Sequence, residues 1–113
     1  QVRSLVRAEV DRALAGHDVL LAPTTPIPAT PIGATDVAID GRRVNIRNSL
    51  IQLTRPFNFS GHPACSVPCG FTGDGLPIGL QIVGRPCDEA TVLRSADAYQ
   101  RATDWHRRRP PLA

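Results

Sequence analysis

The chain has 113 residues, 42% of them hydrophobic, and a formal net charge of +3, which suits one domain built on one core. All thirteen basic residues are Arg and they are scattered, apart from Arg107-Arg108-Arg109, with only three Phe, one Tyr and one Trp to accompany them. A nucleic-acid surface clusters its cations with interleaved aromatics, and a membrane span needs about 18 consecutive apolar residues; neither pattern occurs, so no nucleic-acid or membrane partner is expected.

Val2, Leu5, Val6, Val10, Ala13 and Leu14 recur at helical spacing, which predicts a helix over about 2–15 with Gly16 as its C-cap. Asp18 to Ala22 is a short continuous apolar run, expected as an interior strand. Pro23, Pro26, Pro28 and Pro31 end it and predict an extended loop that carries Thr24, Thr25 and Thr30. The chain enters its first helix by the second residue, starts at Gln1 and has no Met; it is therefore expected to be part of a longer polypeptide.

Val37 to Ile46 alternates weakly around Asp40-Gly41, a turn signal for a small hairpin. A short helical pattern follows from about Asn48 to Thr54. Asn48, Ile51 and Arg55 fall at spacings of three and four and so share one face, and Pro56 is expected to stop the helix.

Phe57 to Gly84 is the organising stretch. Its apolar runs Ala64–Cys69 and Ile78–Val83 read as two strands of a hairpin closed by Thr72-Gly73-Asp74-Gly75-Leu76. Gly79, Gln81 and Val83 share one strand face. Gly79 leaves room for a close approach. Gln81 is an amide in a core strand, so it needs a polar partner or a cavity.

Asp88 then N-caps a last helix whose stripe is Val92, Leu93, Ala96, Tyr99 and Ala102 and which ends near Trp105; Arg107 to Ala113 is expected to fray. The fold class is α/β, helices packed on a small mixed sheet of the 18–22, 64–69 and 78–83 strands.

Cys65 and Cys69 stand about 13 Å apart on a strand at roughly 3.3 Å per residue, too far to bridge. No C-x₂-C pair is present, so no metal is expected and the thiols read as buried and reduced, in a cytoplasmic compartment. A Cys65, Cys69 or Cys87 nucleophile served by His17, His62 or His106 is the weaker reading, with the His62 ring expected to pack or cap a loop, and Ser60 and Ser66 lack a strand-to-helix elbow.

Asn58-Phe-Ser-Gly61-His-Pro63, Val67-Pro68-Cys-Gly70 and Gly75-Leu-Pro77-Ile-Gly79-Leu-Gln81 resemble the C-terminal part of the amidase signature family, with its N-x-x-G-x-P, V-P-x-G and G-L-P-[VI]-G-[LV]-Q segments. Asp18-Val-Leu-Leu-Ala-Pro-Thr-Thr-Pro and Asp88-Glu-Ala-Thr-Val-Leu extend the likeness in both directions.

The resemblance implies a segment of a larger α/β/α fold that hydrolyses amides with a Ser-Ser-Lys triad and no cofactor. The chain has no Lys and no Gly/Ser-rich signature, so the triad is expected outside it and the isolated chain is expected to be inactive. Asn48, Ile51 and Arg55 then become candidate pocket-lining residues. Asn58, Gly61, Pro63, Gly79 and Gln81 become structural ones.

The implied partners are a small amide substrate and the remaining N-terminal part of the same enzyme. Apolar surface meant for that part predicts marginal stability or self-association, a homodimer included. The related glutamine-hydrolysing subunit of tRNA-dependent amidotransferases usually has Asp where Ile51 stands, which makes transamidation the alternative. A stand-alone basic binding module is the non-enzyme alternative.

Overall fold

The computed structural model describes residues 1–110. Helix α1 (Val2–Ala13) leads into strand β1 (Val19–Pro23). A hairpin of β2 (Asp36–Ile39) and β3 (Arg42–Asn45) precedes two short helices, α2 (Ile46–Leu50) and α3 (Arg55–Ser60). Strands β4 (Ala64–Phe71) and β5 (Pro77–Gly84) follow, then α4 (Glu89–Ala102) and a 3₁₀ turn at Trp105–Arg107.

The hairpins form where local chemistry demands them. Asp40 and Gly41 both take positive φ, 48° and 75°, the conformation that a two-residue turn needs to match strand twist. Between β4 and β5, Gly75 takes φ 81°. The Thr72 N–H donates to Leu76 O at 2.9 Å, and the Leu76 N–H donates to Thr72 Oγ1 at 3.1 Å.

The main sheet has the order β1-β5-β4. Both pairings are antiparallel, so within the α/β class the sheet is antiparallel rather than mixed. A five-residue connection permits only an antiparallel neighbour for β4. The central strand is β5, and the expected interior strand β1 lies at an edge, with Leu21 62% exposed. Helix α4 covers one sheet face: Val67, Ile82, Val92 and Ala96 form the core, with Val19, Cys65, Leu80 and Tyr99 packed around it.

Asp88 caps α4 by accepting from the Thr91 N–H at 3.3 Å, as its sequence position indicates. Leu93, expected in the buried stripe, is exposed, because it sits one residue round from the buried Val92 and so leaves the sheet-facing side.

The expected helix over Asn48–Thr54 is replaced by two helices around a turn. Pro56 occupies the first turn of α3, where proline has no N–H bond to lose and its fixed φ suits a helix start. It starts a helix rather than ending one. Asn58 is consequently a helical residue, and Gly61 (φ 76°) ends α3 with its N–H on Phe57 O at 2.9 Å.

At the C-terminal end, where fraying was expected, the Arg108 guanidinium lies 4.9 Å from the Phe71 ring centroid and 5.6 Å from that of Trp105. Residues 111–113 of that expectation lie outside the described residues.

Candidate functional site

The turn between α2 and α3 gathers the residues of interest. Asn45 caps α2 by accepting from the Asn48 N–H at 3.2 Å, and the Ser49 hydroxyl donates back to Asn45 O at 3.0 Å. The chain then turns through Ile51–Thr54, and the Arg55 N–H donates to Ile51 O at 2.9 Å to start α3. An open depression of about 550 Å³ lies against this region, lined by Val44, Asn45, Asn48, Ser49, Gln52 and Arg55.

Asn48 and Arg55 are thus brought to one rim. Ile51 is not among the lining residues of that depression; it is the C-cap of α2 and 40% exposed. The continuous helical face that joined all three is interrupted by the turn. Gln52 was missed by the sequence argument, yet it also lines a second depression, shared with Val2, Val6, Arg55, Pro56 and Phe59. Its position four residues after Asn48 and three before Arg55 is a helical spacing that could have signalled it, whereas its neighbours Val2 and Val6 on α1 are supplied by the tertiary fold.

The structural candidates have clear places. A Cβ on Gly79 would stand 2.7 Å from Thr24 Oγ1 and 2.9 Å from Ser66 Oγ; those hydroxyls bond each other at 2.5 Å. Glycine is therefore required for strand β5 to carry its hydroxyl-bearing neighbours on this face. Gln81 is 4% exposed and donates from Nε2 to Leu53 O at 3.3 Å, the polar partner its position called for. Pro63 accepts from the Gly84 N–H at 3.0 Å. Asn58 is exposed on α3.

His62, weighed as a base for a cysteine, has both ring nitrogens engaged elsewhere. Nδ1 meets Ser60 Oγ at 2.8 Å and Nε2 meets Asp11 Oδ1 at 3.1 Å, with the ring fully enclosed. The order resembles a hydrolytic triad, but Ser60 is 0% exposed, so no substrate reaches its hydroxyl; the set joins α1 to the segment after α3. The cysteines are free, with Cys65 and Cys69 half-buried and Cys87 exposed, against the expectation of three buried thiols. Among the described residues no helix is long and apolar enough to cross a membrane.

The fold of this chain, an antiparallel sheet with one helix across a face, is similar to that of amide-bond hydrolases of known structure. An amidase crystal structure superposes at TM-score 0.82 with 35% identity, over 88% of this chain and 23% of its own. A 6-aminohexanoate cyclic dimer hydrolase does so at 0.82 with 32% identity, over 96% and 24%. The Amidase family model matches residues 1–93. The chain belongs to the amidase family.

Among curated relatives, a glutamyl-tRNA(Gln) amidotransferase subunit of Chloroflexus aggregans is 48% identical over 100% of this chain. The corresponding subunit of Methanosarcina mazei is 49% identical over 98%. The chain spans 22% of the length of each.

Proposed function

We propose that this chain is the C-terminal, substrate-pocket-forming portion of an amidase signature enzyme that hydrolyses a carboxamide C–N bond. The observation that carries this reading is the superposition on amide hydrolases at TM-score 0.82 with 32–35% identity. The Ser-Ser-Lys triad of such an enzyme lies outside these 113 residues, which hold no Lys. Nucleophilic attack needs a base to take the serine proton, so the chain by itself is inactive. Its substrate is a small amide, its partner the remaining part of the same polypeptide, and its compartment the cytoplasm; no cofactor is required.

The Ile51–Thr54 turn and the adjoining rim of Asn48 and Arg55 form one wall of the pocket. With Ile51 exposed at the turn, that wall is apolar where a carboxylate would otherwise hold a substrate ammonium, and it favours amides without a cationic amino group. The test is release of ammonia or amine from a panel of acyl amides by the complete polypeptide. Loss of release on replacing its upstream Lys supports the reading, and an upstream sequence without Lys or a Gly/Ser-rich segment overturns it.

A second reading is the glutamine-hydrolysing component of a glutamyl-tRNA amidotransferase, favoured by the 48–49% identity to such proteins. Glutamine-dependent formation of an aminoacyl-tRNA amide, with no activity on apolar amides, selects it over the first.

A further inference from the structure

Among the described residues the side-chain amide of the buried glutamine on the central strand has one hydrogen-bond partner, and that partner lies in the turn proposed as the pocket wall. Gln81 Nε2 donates to Leu53 O at 3.3 Å. The turn's other bonds run along its own chain, from the Gln52 N–H to Ser49 O at 3.1 Å, from the Arg55 N–H to Ile51 O at 2.9 Å, from the Asn58 N–H to Thr54 O at 3.1 Å and from the Thr54 hydroxyl to Ile51 O at 3.4 Å. Among the hydrogen bonds of the described residues, Gln81 alone ties Ile51–Thr54 to the sheet.

We propose that Gln81 is a positioning residue, holding the Ile51–Thr54 turn at a fixed height above the sheet and so setting where Ile51 meets substrate. The proposal rests on the pocket-wall reading above. A carboxamide suits the task for three reasons. It is uncharged, so its burial on β5 costs less than that of a lysine or arginine. It donates to a backbone carbonyl, so it fixes the turn whatever side chains the turn carries. It also stands on the strand at the centre of the sheet, paired on both sides, which makes the anchor rigid and leaves the turn as the part that moves when the bond is lost.

The test uses the complete enzyme with Gln81→Met, which keeps length and removes the donor. Two readouts are taken. Hydrogen exchange of the 51–56 segment reads the tether without reference to activity and is expected to speed up about three- to tenfold, with β4 and α4 unchanged. KM for an apolar amide is expected to rise by a similar factor with kcat held within about twofold, as for an interaction made equally in ground and transition states. On an Ile51→Ala background the KM effect should disappear, because the positioned group is gone.

Unchanged exchange at 51–56 overturns the tether. Faster exchange with unchanged KM, or an effect that simply adds to Ile51→Ala, overturns the positioning role. If Gln81→Met does not fold, Gln81→Glu replaces it: a protonated carboxyl can donate to Leu53 O and a carboxylate cannot. Exchange at 51–56, corrected for the intrinsic pH dependence of amide exchange, must then slow as pH falls, and a pH-independent corrected rate overturns the proposal. A wild-type enzyme that hydrolyses no amide removes the catalytic reading, while the exchange result still decides the tether.

Discussion

Asp11 and His62 meet at 3.1 Å across 51 positions of sequence, joining the last turns of α1 to the loop that leads into β4. His62 is enclosed and Asp11 is 51% exposed, so the two ends of the bond are unequal. His62→Ala removes one of the two partners of the buried Ser60 hydroxyl, which keeps its bond to Phe57 O, and opens a cavity where the enclosed ring stood, an expected loss of about 2–4 kcal/mol. Asp11→Ala takes the partner from Nε2 but, Asp11 being half-exposed, opens that end of the ring to water, an expected loss of about 1 kcal/mol. Denaturant unfolding of the two variants measures the difference; equal losses would show that the enclosed side is not the costly one.

Gly84 and Val92 should show coupling of the opposite kind. A Cβ on Gly84 would stand 2.5 Å from Val92 Cγ2, so Gly84→Ala is expected to cost about 1–3 kcal/mol by overpacking. Val92→Ala alone leaves a void in the core. The double variant fills that void with the new methyl, and its loss should fall short of the sum by at least about 1 kcal/mol. Strict additivity in a double-mutant cycle would contradict the packing described.

Gly79→Ala drives a methyl into Thr24 and Ser66, with an expected cost of about 1–3 kcal/mol. Because Thr24 Cβ also lies within 3.1 Å, Ser66→Ala alone should recover only part of that loss. Thermal unfolding of the single and double variants checks this, and full recovery through Ser66→Ala would place the clash elsewhere.

These contacts mark where sequence stops being informative. Asp40-Gly41 and Asp74-Gly75 announce their hairpins because a turn's conformation is set by its own residues, and Asp88 announces α4 for the same reason. The amide of Gln81 signals a need for a partner, but Leu53, 28 positions away, is supplied by the tertiary fold. The edge position of β1 depends on strand order, which its apolar run cannot encode; the run reads as interior because Val19 packs against the core.

Pro56 is the ambiguous residue of the site. The same ring that forbids a helix interior favours a helix start, and the choice turns on the Ile51–Thr54 turn before it. With that turn in place, Asn48 and Arg55 reach a common rim while Ile51 takes the corner. The spacing of three and four had joined them on a single helix face.

The central claim is that this turn forms the wall of an amide hydrolase's substrate pocket, and Ile51→Asp in the complete enzyme tests it most directly. The measurement is kcat/KM for an apolar acyl amide and for an amide bearing a cationic amino group, in wild type and variant. The substitution places a charge on the wall and leaves the nucleophile untouched. The apolar substrate should lose activity by the equivalent of a few kcal/mol at most, on the order of tenfold or more, and the cationic substrate should lose less or gain. An unchanged ratio between the two substrates would contradict the account and remove the turn from the pocket.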